Sequence, residues 1–306
     1  MTTVYFMKSQ SRLFRLTHVA WLTAMLLFAF NQVVAQCPPG NVDLSSQAQV
    51  NQFLVDYPNC TQITGDLKIT GNITDLSPLN GLTHITRNLV IAGTTLTDIN
   101  GLTGLISIGN VLQIGGENAP ENPQLQNING FNNLTSLGGG LVIIKNPSLT
   151  SITGFNALVQ VGGAFDVRQN ANLTTIEGLN NLAIIGGYTY INDTKAASIA
   201  GFSNLQSIGS FLILDNNANL INTAFLNNLT STGGGVGIRN NAQLQNLNGL
   251  SNLTSVGSKV LLILNNTVLS DISALQNVNP ATISEQGLII QNNPALAVCN
   301  LPNFCT

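Results

Sequence analysis

Few residues of this 306-residue chain combine the types and spacing that chemistry requires. Asp75 and Asp98 recur one repeat apart, and two stacked carboxylates could serve as the acid and base of a glycosidase. They also share one turn position, where Asp commonly caps the backbone. Asp215-Asn216-Asn217 and Asn192-Asp193-Thr194 offer oxygen atoms to calcium, but without the spaced loop that calcium proteins use. His84 sits between Thr83 and Ile85 with no nucleophile nominated beside it, and reads as a surface or edge residue. No glycine-rich phosphate loop runs from a strand into a helix. The sequence therefore nominates no catalytic residue, no metal ligand and no cofactor. Sequons such as Asn133-Leu134-Thr135, Asn172-Leu173-Thr174 and Asn252-Leu253-Thr254 fall out of a repeat and matter only where a host glycosylates Asn.

The repeat is the dominant feature. Gly139 to Gly162 reads GGLVIIKNPSLTSITGFNALVQVG, and closing glycines at 138, 162, 186, 209, 233 and 257 follow one another at 24, 24, 23, 24 and 24 residues. A fixed period in this range marks a solenoid. Each unit holds three short apolar pieces: Leu141-x-Ile143, Leu149-x-x-Ile152 and Phe155-x-x-Leu158-x-x-Val161. Alternation in the first marks a strand with one face inward, and no piece reaches helix length. The expected fold is all-β: a right-handed parallel β-solenoid of about ten three-sided rungs with disulfide-tied caps, a rod of roughly 45–50 Å. A recurrent corner Asn, at Asn146, Asn170, Asn217, Asn241, Asn265 and Asn293, reads as an inward ladder that bonds backbone groups left open at each bend. The rung-end glycines read as corners at positive φ.

Such a coil leaves the outward positions of the first strand free of packing demands. Read rung by rung they are Val142 and Ile144, Asp166 and Arg168, Tyr188 and Tyr190, Phe211 with Ile213 and Asp215, Gly237 and Arg239, then Leu261 and Ile263. Tyr188, Tyr190, Phe211 and Ile213 form a contiguous apolar patch, rimmed by Asp166, Arg168, Asp215 and Arg239. An apolar centre with a polar rim is interface anatomy. Ordinary β-propensity or a covering loop would place the same residues there. The loop Gly115–Gln124, rich in Gly, Pro and Asn, bulges from one edge and is either a second binding element or a tolerated insertion.

The ends differ from the repeats. Residues 1–36 read as a signal peptide: Lys8, Arg12 and Arg15, an apolar run from Val19 to Phe30, then Val33-Val34-Ala35 before Gln36. Residues 37–62 read as an N-terminal cap, with a short capped helix in QAQVNQFLVDY that turns Val50, Phe53 and Leu54 to one side. Residues 63–298 are the repeats and 299–306 a C-terminal cap. The four cysteines pair as Cys37–Cys60 and Cys299–Cys305 on proximity, out of three connectivities, and lie too far apart for one metal site. Cleavage would leave seven basic against thirteen acidic residues, a net charge of −6. So few cations argue against nucleic acid or an anionic membrane surface as partner, and no membrane insertion is expected after cleavage.

The pattern G-x-L-x-I-x-x-N-x-x-L-x-x-I-x-G-F-x-x-L-x-x-I-G behind a Cys-delimited cap resembles the receptor L domain, across about residues 60–300. That is the leucine-rich-repeat-like β-helix of the insulin and epidermal growth factor receptors, found also in fungal cell-wall and bacterial surface proteins. The chain lacks the Cys-rich module, membrane helix and kinase of the animal receptors, so hormone reception is not implied. Its signal and Asn-rich rungs look like the bacterial exported type. Family members with known ligands bind through a broad sheet face or its edge loops. The resemblance implies a secreted or cell-surface recognition or adhesion module for a protein or glycan. A structural envelope spacer is the alternative, and a carbohydrate-active enzyme a distant third.

Overall fold

A computed structural model of the chain describes residues 37–116, 119–257, 259–297, 301 and 304. It is mostly β, with long parallel sheets and little helix, as in a β-solenoid. From Leu141–Ile144 the chain passes through Ser151–Ile152 and Gln160–Val161 to Phe165–Arg168, which pairs in parallel with the strand where the circuit began. Repetition builds an 11-stranded broad sheet, an 8-stranded narrow one and a 3-stranded one. Among the described residues six short 3₁₀ turns occur, some of them replacing strand on their circuit, as at Ser77–Leu79 and Asn248–Leu250. Among the described residues no helix is long and apolar enough to cross a membrane.

One column of side chains from each piece fills the centre. Leu141, Ile143, Leu149, Ile152, Phe155, Leu158 and Val161 are all fully buried, and their counterparts on neighbouring circuits stack on them. Phe131 and Phe155 stack at 5.4 Å, while Phe202 meets Phe165 edge-on at 5.1 Å. Since each turn is one strand spacing from the next, like residues meet like, and this is why the period is so strict.

Two turn devices differ from the sequence reading. The first is the ladder. Asn146, Asn170, Asn217, Asn241 and Asn293 point inward, but Asn265 does not: it is exposed, with φ at 57°, and Asn266 takes the buried place. Positive φ falls one residue before each ladder Asn, at Lys145, Gln169, Asn216, Asn240, Asn265 and Asn292, and before Thr194 at Asp193. In the pair Asn265-Asn266 only this backbone alternation tells the two apart. Thr194 and Asn122 complete the column, Asn122 without a positive φ at Glu121 before it.

The second device is the closing glycine. Of those at 138, 162, 186, 209, 233 and 257, only Gly257 has a positive φ. The others are required by close approach. A Cβ on Gly138, Gly162, Gly186, Gly209 or Gly233 would sit 2.1–2.2 Å from the carbonyl oxygen of the glycine one turn earlier.

At the N-terminal end, Val42–Leu44 pairs with Leu67–Gly71 as the first strand of the broad sheet. The helix Gln47–Asp56 follows, capped by the Ser46 hydroxyl, with Val50 and Phe53 buried and Leu54 half-buried. Its Gln47 side chain accepts from the amides of Thr74 and Asp75, both at 3.0 Å, so the helix docks on the first 3₁₀ turn. Cys37 and Cys60 form a disulfide with S–S 2.05 Å. The signal segment and the Cys299–Cys305 pair lie outside the described residues.

Candidate binding surface

Strand register decides which side chains share the outer face of the broad sheet. Asp166 pairs with Tyr190, Tyr190 with Ile213, Ile213 with Gly237, and Gly237 with Leu262, forming one outward row. Two residues along, Arg168, Asn192, Asp215, Arg239 and Leu264 form a second. Tyr188 and Phe211 stand just before their strands and begin a third row, continued by Gly235 and Val260. Tyr188, Tyr190, Phe211 and Ile213 are therefore neighbours on two adjacent turns. Leu261 and Ile263, read as outward from sequence, are fully buried, and Val260, Leu262 and Leu264 face out instead. In the run Val260-Leu261-Leu262-Ile263-Leu264 every residue is apolar, so alternation carries no phase; pairing with Val236–Arg239 sets it.

The charged residues hold this face rather than merely bordering it. Asp166 is only 2% exposed. Its Oδ1 accepts from Arg168 Nε at 2.7 Å and its Oδ2 from the Tyr188 hydroxyl at 3.0 Å. The Arg168 guanidinium in turn lies over the Tyr190 ring, 5.5 Å from its centroid, a cation–π contact. One buried carboxylate thus fixes an arginine and two tyrosines. Asp215 works between turns: Oδ2 accepts from Arg239 Nε at 3.0 Å and Oδ1 from Asn240 Nδ2 at 2.8 Å. Tyr188 at 38% and Phe211 at 42% remain open to solvent although apolar in their ring faces. Side chains fixed in advance lose little freedom on binding, which is where interfaces otherwise lose affinity.

A feature that the sequence reading passed over lies beside the tyrosines. Gly235 and Gly237 leave a hollow of about 130 Å³ lined by Phe211, Ile213, Val260, Leu262 and Arg239. Its signal in the sequence was a glycine at an outward strand position between larger residues in register.

The remaining candidates take structural roles. Asp75 Oδ1 accepts from the Ser77 amide at 2.8 Å and from its hydroxyl, and Asp98 Oδ1 from the Asn100 amide at 3.0 Å, each opening a 3₁₀ turn. The Ser77 hydroxyl, then its amide, hold the Asp75 carboxyl below the usual carboxylate range; Ser273 does the same for Asp271. A lowered pKa suits a carboxylate that stays ionised as an acceptor, not one that must hold a proton for acid catalysis. His84 Nδ1 lies 2.8 Å from the Thr83 hydroxyl on the narrow sheet. Among the described residues, no group of three or more His, Cys, Asp or Glu is placed to hold a metal. The loop Gly115–Gln124 returns Asn122 to the buried ladder, and its Pro120 lies against Gly93, where an added Cβ would approach to 2.8 Å.

Residues 59–155 match the family model of the receptor L domain. The match runs from the end of the helical cap to Phe155. The same parallel register continues beyond it through Phe165–Arg168 and Val236–Arg239, so the tyrosine face belongs to the same coil as the receptor L-domain segment. No curated protein matches the chain.

Proposed function

We propose that the chain is a secreted or cell-surface recognition or adhesion module, without catalysis, that binds a protein or glycan through its broad sheet. The observation that carries this is the face of Tyr188, Tyr190, Phe211 and Ile213, whose two tyrosines are held by Asp166 and Arg168 and which is flanked by Asp215 and Arg239. The receptor L domain is a ligand-binding module of receptors, which supports a binding role over a catalytic one. The Cys37–Cys60 bond suits an oxidising, extracytoplasmic setting. Residues 1–36 then serve as a cleaved signal, in keeping with a bacterial exported type. The coil is taken as right-handed, the hand of nearly all parallel β crossovers, with about ten rungs. Residues 37–62 and 299–306 close its ends, the latter through Cys299–Cys305.

The test is to screen the exported protein against surface-protein and glycan arrays beside a Tyr190→Ala, Ile213→Asp variant. Both changes lie on the outer face, so circular dichroism and melting temperature should match the parent. Loss of a signal in the folded variant is the expected result and names the ligand class. A signal that survives moves the site to the Gly115–Gln124 loop. No signal at all favours the rival reading, an envelope spacer without a ligand, which the regularity of the coil also suits.

A further inference from the structure

One side chain is missing from the outward row of the broad sheet. Gly237 stands in register between Ile213 and Leu262, and a Cβ added there would meet nothing within 4 Å. Gly235, two residues earlier, is glycine for a different reason: a Cβ there would come within 2.3 Å of the Val260 carbonyl oxygen. Glycine weakens a strand and is often found where a ligand approaches the backbone closely. A valine in place of Gly237 would suit this strand better on propensity, and the coil has room for it.

The slot so formed, of about 130 Å³, has Phe211 and Ile213 as one wall and Val260 and Leu262 as the other. The walls rise from strands two spacings apart, about 10 Å. After the wall side chains are allowed for, this leaves room for a single ring. Nothing on the walls donates or accepts a hydrogen bond, which disfavours a sugar, whose hydroxyls need partners around the ring. At one end stands Arg239. Its Nε is committed to Asp215, whose other oxygen is taken by Asn240, while its two Nη groups make no hydrogen bond to the described residues.

The geometry points to this slot as the anchor of the face: it takes one phenyl or phenol ring of a partner protein, whose neighbouring carboxylate pairs with the Nη groups of Arg239. The inference rests on the broad sheet being the recognition face and adds the chemistry of the partner. It follows the usual build of an interface hot spot, an apolar side chain in a desolvated pocket with an arginine at its margin.

The test uses methyl-labelled exported protein and three probes: 3-phenylpropionate, its amide, and methyl glucoside. Saturable shifts at the Ile213, Val260 and Leu262 methyls are expected with the acid, and binding about fivefold weaker with the amide. Gly237→Leu puts a side chain into the slot from a position whose Cβ meets nothing within 4 Å, so its melting temperature should hold while affinity for the acid falls by at least about tenfold. Arg239→Gln should reduce binding of the acid to that of the amide. The inference is overturned by silence at those methyls, by equal binding to Gly237→Leu, by equal binding of acid and amide, or by preference for the glucoside. The two readings fail separately. If the slot refuses the acid while Tyr190→Ala, Ile213→Asp still abolishes the array signal, the sheet face stands without this anchor. If the array signal survives that variant, the sheet reading falls and the anchor's role falls with it.

Discussion

The buried asparagines solve a problem that apolar residues cannot. Where the chain turns the corner after the broad sheet, a carbonyl is left facing the core, and each ladder Asn donates to one on the preceding turn: Asn217 to Ile191, Asn241 to Leu214, Asn266 to Ile238. The Oδ1 atoms accept in return from the backbone amide one turn earlier, as Asn241 does from Asn217 at 3.0 Å. Asn217→Leu would strand the Ile191 carbonyl and the Thr194 hydroxyl, which now donates to Asn217 at 2.9 Å. A loss of about 3 kcal/mol is expected in urea unfolding, since each orphaned buried group costs roughly 1–3 kcal/mol. An unchanged midpoint would remove the ladder from the stability argument. Thr189 presents the opposite case. It points into the core at 2% exposure and its hydroxyl has no partner. Thr189→Val should therefore raise stability by about 1 kcal/mol, because it deletes an unsatisfied group while keeping the branched shape.

At the scale of the single turn, the closing glycines set how closely successive circuits approach. The stack from Gly138 to Gly233 puts backbone against backbone, with no space for even a methyl group. Gly186→Ala would force its Cβ to 2.2 Å from the Gly162 carbonyl oxygen. The neighbour is backbone, so the clash can be relieved only by parting two turns that share hydrogen bonds in two sheets. A loss of about 3 kcal/mol or more is expected, in the range of overpacked cores. Gly237→Leu, on the outer face of the same coil, should leave the melting temperature alone. The contrast between these two substitutions, read in one thermal-shift experiment, separates glycines that build the coil from the glycine that opens the slot.

Across the whole molecule, contacts run only between neighbouring turns, so an exposed end would unravel inward. The N-terminal cap guards against that: a helix lies over the first turn, and a disulfide closes a loop with a sequence separation of 23. Replacing Cys37 and Cys60 by Ala should cost about 3 kcal/mol. Hydrogen exchange in the variant should rise first at Leu67–Gly71 and last at Val236–Arg239. Uniform acceleration along the coil would show that the bond acts on global unfolding and not on the end.

Much of this protein is determined by its sequence alone. The period of 24 between closing glycines imposes a coil, because equal chain lengths per circuit stack like residues on like, and the alternation in Phe165-Asp166-Val167-Arg168 tells which of them face inward. Phase was lost wherever the residues stopped differing. Asn265 and Asn266 have the same side chain, and only a positive φ at the first turns the second inward. Leu261 and Leu262 are alike too, and only pairing with Val236 and Gly237 assigns them to core and surface. The glycines were conspicuous in the sequence, but what each one does depends on the backbone of a different turn, at a distance no local pattern encodes. The binding face followed the same division. Its aromatic residues were legible as outward positions, whereas the burial of Asp166, the arginine over Tyr190 and the slot above Gly237 exist only once separate turns are laid side by side.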